Sequence, residues 1–175
     1  MNRTTRAAVA VAATIGLSVA GAAAADAAPS AKKLNSADRA FLKSNEQVNL
    51  AEITLGHIVL RRSNGPRADM LAHMTISDHR AAMKKVKAVA KKDGVTLPTR
   101  PNAQQRAAAA KEKSARRPAL TYFKLQVAGH KQSIAQTKYE IKHGSRPNVV
   151  AYARYYLPVA QKHLRMAEAD LKRLQ

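Results

Sequence analysis

Four side chains capable of metal binding or acid–base chemistry, Glu52, His79, His130 and His163, each interrupt an apolar stripe that repeats at helical spacing. Phe123, Val127, His130, Ile134, Thr137 and Ile141 fall at alternating steps of four and three, one face of an α-helix. The same rhythm runs through Phe41, Asn45, Val48, Glu52, Leu55 and Val59, and through Ala72, Ile76, His79, Met83, Val86 and Ala90. In the last helical stretch the main stripe is Val150, Ala153, Leu157, Ala160, Leu164, Ala167 and Leu171. Val149, Tyr152, Tyr156, Val159, His163 and Met166 lie beside it and widen the buried arc. Three imidazoles and one carboxylate in one layer would suit a single first-row transition ion such as zinc, copper, iron or manganese. The same residues would serve equally as a hydrogen-bonded polar layer that fixes helix register. Distances between helices are invisible in a sequence, so the polar layer is the preferred reading and the metal centre the second.

The levels of the four residues are compatible with either reading. Glu52 and His79 stand at similar distances from Gly65, and His130 and His163 at similar distances from Gly144. At about 1.5 Å rise per residue the mismatch within each pair is roughly 3–5 Å. A ferroxidase-type diiron centre is not expected. It needs Glu-x-x-His on two helices and further glutamates, whereas Ile76, Val127 and Ala160 stand three residues before the histidines. His57 sits on a different face from Glu52, and His73 and His143 lie near helix ends. Asp78 is expected at the surface or near a helix cap rather than orienting a histidine. Glu140 is expected to join the layer or pair with Lys138, and Tyr152, Tyr155 and Tyr156 to pack in the core and rim. Ser44, Ser63, Ser77 and Ser133 lie in no nucleophile motif, and no glycine-rich phosphate loop follows a strand.

Helices at about 36–63, 66–92, 118–143 and 147–173 must position these groups. Asn35 or Ser36 can cap the first, Asn64-Gly65-Pro66 stops it and starts the second, and Asp93-Gly94 closes the second. Pro118 and Pro147 suit first turns, Gly144 suits a helix end, and Pro158 should kink the last helix. Pro98 and Pro101 force an extended connection. Asn102 to Arg117 carries alanines and long charged side chains but no apolar stripe, so it reads as a solvated, partly helical arm. The fold class is all-α: a four-helix bundle with a long, partly helical link between the second and third helices. Whether that link crosses the bundle is not legible.

Arg3 and Arg6, an apolar run over Ala7–Ala20 and Ala25-Asp26-Ala27 give the layout of a secretory signal peptide over residues 1–27. Residues 28–175 then form a single exported domain. With 31 basic and 11 acidic residues the chain carries +20; loss of Arg3, Arg6 and Asp26 leaves 29 against 10, or +19. Such a charge favours anionic envelope polymers, anionic lipid surfaces or nucleic acid as nonspecific partners. No aromatics interleave the basic pairs to stack bases, and the absence of cysteine excludes disulfide and thiolate chemistry. The first functional reading is a non-enzymatic envelope or extracellular binding or stress-related protein; the alternative is a metal-binding or redox bundle.

The chain resembles the bacterial exported family called domain of unknown function 4142 (DUF4142), regarded as ferritin-like four-helix bundles. The resemblance rests on Leu50-Ala51-Glu52 with Leu55-Gly56, Asp78-His79, Gly94-Val95-Thr96-Leu97-Pro98, Tyr122, His130, Glu140, Leu157-Pro158 and His163, from about Asp38 to Asp170. The family pattern implies that Glu52, His79, His130 and His163 are recurring positions. Pro118-Ala119 and Thr137-Lys138 depart from it, at positions where the family often has Phe-Asp and Phe-Glu.

Overall fold

Five α-helices, and no strand, form the described residues 32–62 and 64–175 of the computed structural model: α1 (Ser36–Leu60), α2 (Pro66–Lys92), α3 (Ala103–Lys113), α4 (Pro118–His143) and α5 (Pro147–Arg173). The expected signal peptide lies outside the described residues. None of the described helices is long and apolar enough to cross a membrane.

The ends follow local chemistry. Asn35 and Asp38 form a reciprocal capping box at α1, and Asn102 and Gln105 form another at α3. Gly65, at φ +91°, adopts a backbone conformation that side chains resist, and Pro66 follows in the first turn of α2. α1 stops at Leu60, three residues short of the expected 63. The Arg61 N–H turns back to Val59, and the Arg62 guanidinium leaves the helix to bond the carbonyls of Glu112, Lys113 and Ala115. α5 runs through Pro158.

Polar ties fix the helix directions. Asn35 at the start of α1 donates to the His143 carbonyl at the end of α4. Asp93 at the end of α2 holds Arg146 and Asn148 at the start of α5. Arg67 near the start of α2 pairs with Asp170 near the end of α5. α1 and α5 therefore run one way and α2 and α4 the other, and the link from α2 to α4 crosses the full length of the bundle. This is the up-down-down-up order of a ferritin-like bundle.

The link is partly helical and mostly exposed, as its sequence suggests. α3 lies on the seam between α1 and α4, and its Glu112 is fully buried. Ala108 and Ala109 are half-buried on that seam, and the other alanines of α3 are exposed. A correction concerns Glu140. It is fully buried near Asp38, about ten residues from the His130 level, and pairs with no lysine among the described residues.

The core divides into two apolar clusters. One gathers Phe41, Leu42, Val86, Val149, Tyr152 and Tyr156; the other Leu55, Val59, Leu71, Tyr122, Phe123 and Ala167. The polar residues lie between them in chain position. In α5 the buried arc is Val149, Tyr152, Ala153, Tyr156, Ala160, His163, Ala167 and Asp170. Leu157 and Leu164, expected in the main stripe, are only half-buried. The helix is rotated toward its tyrosine and histidine flank.

Candidate metal centre

α2, α4 and α5 each deliver one histidine to the bundle core. His79, His130 and His163 are 0–1% exposed, and one ring nitrogen from each lies within 4.8 Å of the others. Ring centroids are separated by 5.2 Å (His130–His163), 5.4 Å (His79–His163) and 5.9 Å (His79–His130). Close approach of α1 and α2 supports this level. A β-carbon on Gly56 would stand 2.6 Å from Cγ1 of Ile76, one turn before His79.

Hydrogen-bond partners assign the ring protons. His130 Nδ1 is 2.9 Å from the Gln126 carbonyl, which can only accept, so Nδ1 carries the proton and Nε2 a lone pair. His79 Nδ1 is 2.9 Å from Asn49 Oδ1; the Asn49 amide nitrogen donates to Asn45, which leaves the oxygen to accept from His79. His79 Nε2 is then a lone pair too, and it is buried with no hydrogen-bond partner. His163 Nε2 is 3.0 Å from Asp78 Oδ2, an acceptor, so the second ring nitrogen again presents a lone pair. That nitrogen, Nδ1, faces His130 Nε2 at 3.2 Å. Two lone pairs at that distance need a proton or a cation.

The electrostatics favour the neutral form of His79 and His163. Burial, and then the neighbouring His130 and His163, hold His79 well below the ordinary histidine range. Burial, then His130, lower His163 to about 4, against the opposing pull of Asp78. Neutral imidazoles are the form that binds metal.

The residues fit a transition ion. A tetrahedral ion with bonds of about 2.0–2.1 Å spaces neighbouring nitrogens roughly 3.3–3.4 Å apart. The His130–His163 pair is already near that spacing, and an adjustment on the order of 1 Å brings in His79. Each ligand ring has its outer nitrogen held by an acceptor, the arrangement that fixes tautomer and orientation in metal sites.

Of the four residues singled out by spacing, three converge and Glu52 stands apart. Its Oε2 accepts from Gln126 Nε2 at 2.6 Å, on the far side of the residue whose carbonyl holds His130. Asp78 reverses its expected role: it bridges from α2 to the α5 histidine rather than facing away. Asn49 and Gln126 were not legible as supports, although Asn45, Asn49 and Glu52 give α1 a polar flank at helical spacing. His57 bonds Arg80, and Tyr155 packs under Lys85, both away from the centre.

Fold and core together define a ferritin-like helical bundle with a buried three-imidazole centre. The chain belongs to the family described as domain of unknown function DUF4142, whose model matches residues 23–169. Its fold is similar to the crystal structure of a DUF305 fragment from Deinococcus radiodurans, with a TM-score of 0.70 over 81% of this chain and 99% of that one. At 19% identity that likeness speaks for the fold alone. No curated protein matches the chain.

Proposed function

We propose that this protein is an exported metal-holding bundle that binds one first-row transition ion through His79, His130 and His163. The carrying observation is the convergence of one ring nitrogen from each histidine within 4.8 Å, on rings whose other contacts to Asn49, Gln126 and Asp78 fix their tautomers. Imidazole donors suit zinc and copper, with copper(II) the tighter by the general order of divalent affinities. Burial of all three rings favours retention of the ion over turnover of a substrate. Equilibrium dialysis of the mature chain against zinc or copper(II), read by elemental analysis, tests the reading. One ion per chain is expected, lost in His79→Ala/His130→Ala and kept in His57→Ala. Failure of the native chain to retain either ion defeats it.

The cationic surface supports a second, compatible role. With 29 basic and 10 acidic residues after the expected cleavage, the bundle is drawn to anionic envelope polymers, lipid headgroups or nucleic acid at low salt. Retention on an anionic polymer that falls steeply with salt is the expected behaviour. Salt-independent failure to bind counts against it.

A further inference from the structure

A cavity of about 170 Å³ lies under α3, between α1 and α4, on the flank of the bundle away from Asp78. Val48, Leu55, Ala109 and Leu125 give it alkyl walls, and amides such as Gln105 and Gln132 supply neutral polar groups. Among the described residues that line it, Glu52 is the one charged side chain. That is notable in a chain with 31 lysines and arginines.

Glu52 is 7% exposed and enters no ion pair among the described residues. One oxygen, Oε2, is occupied by Gln126. The other, Oε1, faces the lining residue Gly129, where a β-carbon would come into ordinary contact with it at 3.7 Å. A buried carboxylate without a counter-charge is costly, and such groups are normally paired. Here the protein supplies a neutral amide and leaves the counter-charge to something that enters the cavity.

The walls choose the kind of cation. A bare divalent ion gains nothing from the alkyl surface of Val48, Leu55 and Leu125, whereas a cation with a hydrocarbon part buries it there. The volume is close to the roughly 150 Å³ of an apolar cavity that admits benzene, so a body of about six heavy atoms fits. We propose that this cavity is a binding site for a small organic ammonium ion, its nitrogen on Glu52 and its hydrocarbon part against Val48, Leu55 and Leu125. The site is separate from the three-histidine centre and does not depend on metal.

Calorimetric titration of the mature chain with n-butylammonium chloride, and with n-butanol as the uncharged analogue, tests this. Saturable butylammonium binding is expected. Glu52→Gln should weaken it by about 30-fold or more, the scale for removing one partner of a buried charge pair, while leaving butanol binding unchanged. Ala109→Leu, which fills the cavity from α3 without touching the carboxylate, should abolish both, with unchanged circular dichroism confirming the fold. Absence of butylammonium binding to the native chain, or equal binding by native and Glu52→Gln proteins, overturns the proposal.

Discussion

Asp78 and His163 meet across the α2–α5 seam, with Oδ2 of the aspartate 3.0 Å from Nε2 of the histidine. The aspartate is half-buried at 35% side-chain exposure while the ring is fully buried, so the pair joins the core centre to the bundle surface. The carboxylate fixes which nitrogen of His163 faces His130.

Asp78→Asn keeps the shape but removes the obligate acceptor. Metal affinity should fall by about 10–100-fold, the usual effect of losing an orienting partner. Competition with a chromophoric chelator measures it. An unchanged affinity would mean that the aspartate does not orient the ring.

Metal should also stabilise the fold, since the three donors come from three different helices. Free ion at about a hundred times its dissociation constant adds about 2.7 kcal/mol to the unfolding free energy. Thermal melts with and without zinc, followed by chelator, read the effect. His163→Ala should lose the zinc-dependent rise, whereas His73→Ala, exposed on α2, should retain it.

Gly56 permits the close packing of α1 on α2. Its missing β-carbon would fall 2.6 Å from Ile76 Cγ1 and 3.3 Å from the Ala72 carbonyl. Gly56→Ala should cost about 1–3 kcal/mol through overpacking, in spite of alanine's better helix propensity. Urea unfolding supplies the number, and a variant as stable as the native chain would contradict the contact.

Glu140 gives the bundle a pH dependence opposite to that of an ion-paired carboxylate. Burial, and then the neighbouring Asp38, push it up from 4.5 to about 8. Between those values the folded chain holds a proton that the unfolded chain releases. This contribution is full below about pH 4.5 and is lost as pH rises through about 8. Asp38 itself is raised by burial but lowered on balance by hydrogen bonds from Asn35, Arg146 and Ser145, so its contribution is lost only in acid. Glu140→Gln should flatten the decline in stability between about pH 5 and about pH 9, measured by urea titration. An equally steep decline in the variant would remove Glu140 as its source.

Arg62 holds the end of α3 through the carbonyls of Glu112, Lys113 and Ala115. Arg62→Ala should loosen α3 locally, by about 1–3 kcal/mol for lost charge-assisted hydrogen bonds. Amide exchange across 103–113 should quicken while α1, α2, α4 and α5 remain protected. Uniform loss of protection would instead make Arg62 a global determinant.

Periodicity carried the helical phases because each stripe is a property of one helix. Pro66, Pro118 and Pro147 marked three starts, and the lone polar residues in the stripes pointed to the histidine level. Relations between helices were not legible. Asp78 follows Ser77 and precedes His79 about 100° around the same helix, so its own phase says nothing of an α5 ring. Glu52 has the right phase but faces α4 and α3 rather than the three rings. The solvated character of α3 was legible in its lack of an apolar stripe, and its one buried side chain was not. Its buried contact is Glu112, a charged residue that makes no hydrophobic stripe.

The up-down-down-up order places the two ends of the described chain at opposite poles. Asn35 sits beside His143, whereas Leu174 accepts a bond from Arg117 at the other end. α5, with its 27 residues, spans the distance between these poles, about 40 Å at 1.5 Å per residue. Asn35 and Leu174 are thus held apart by the length of one helix, and the three-histidine centre lies partway between them.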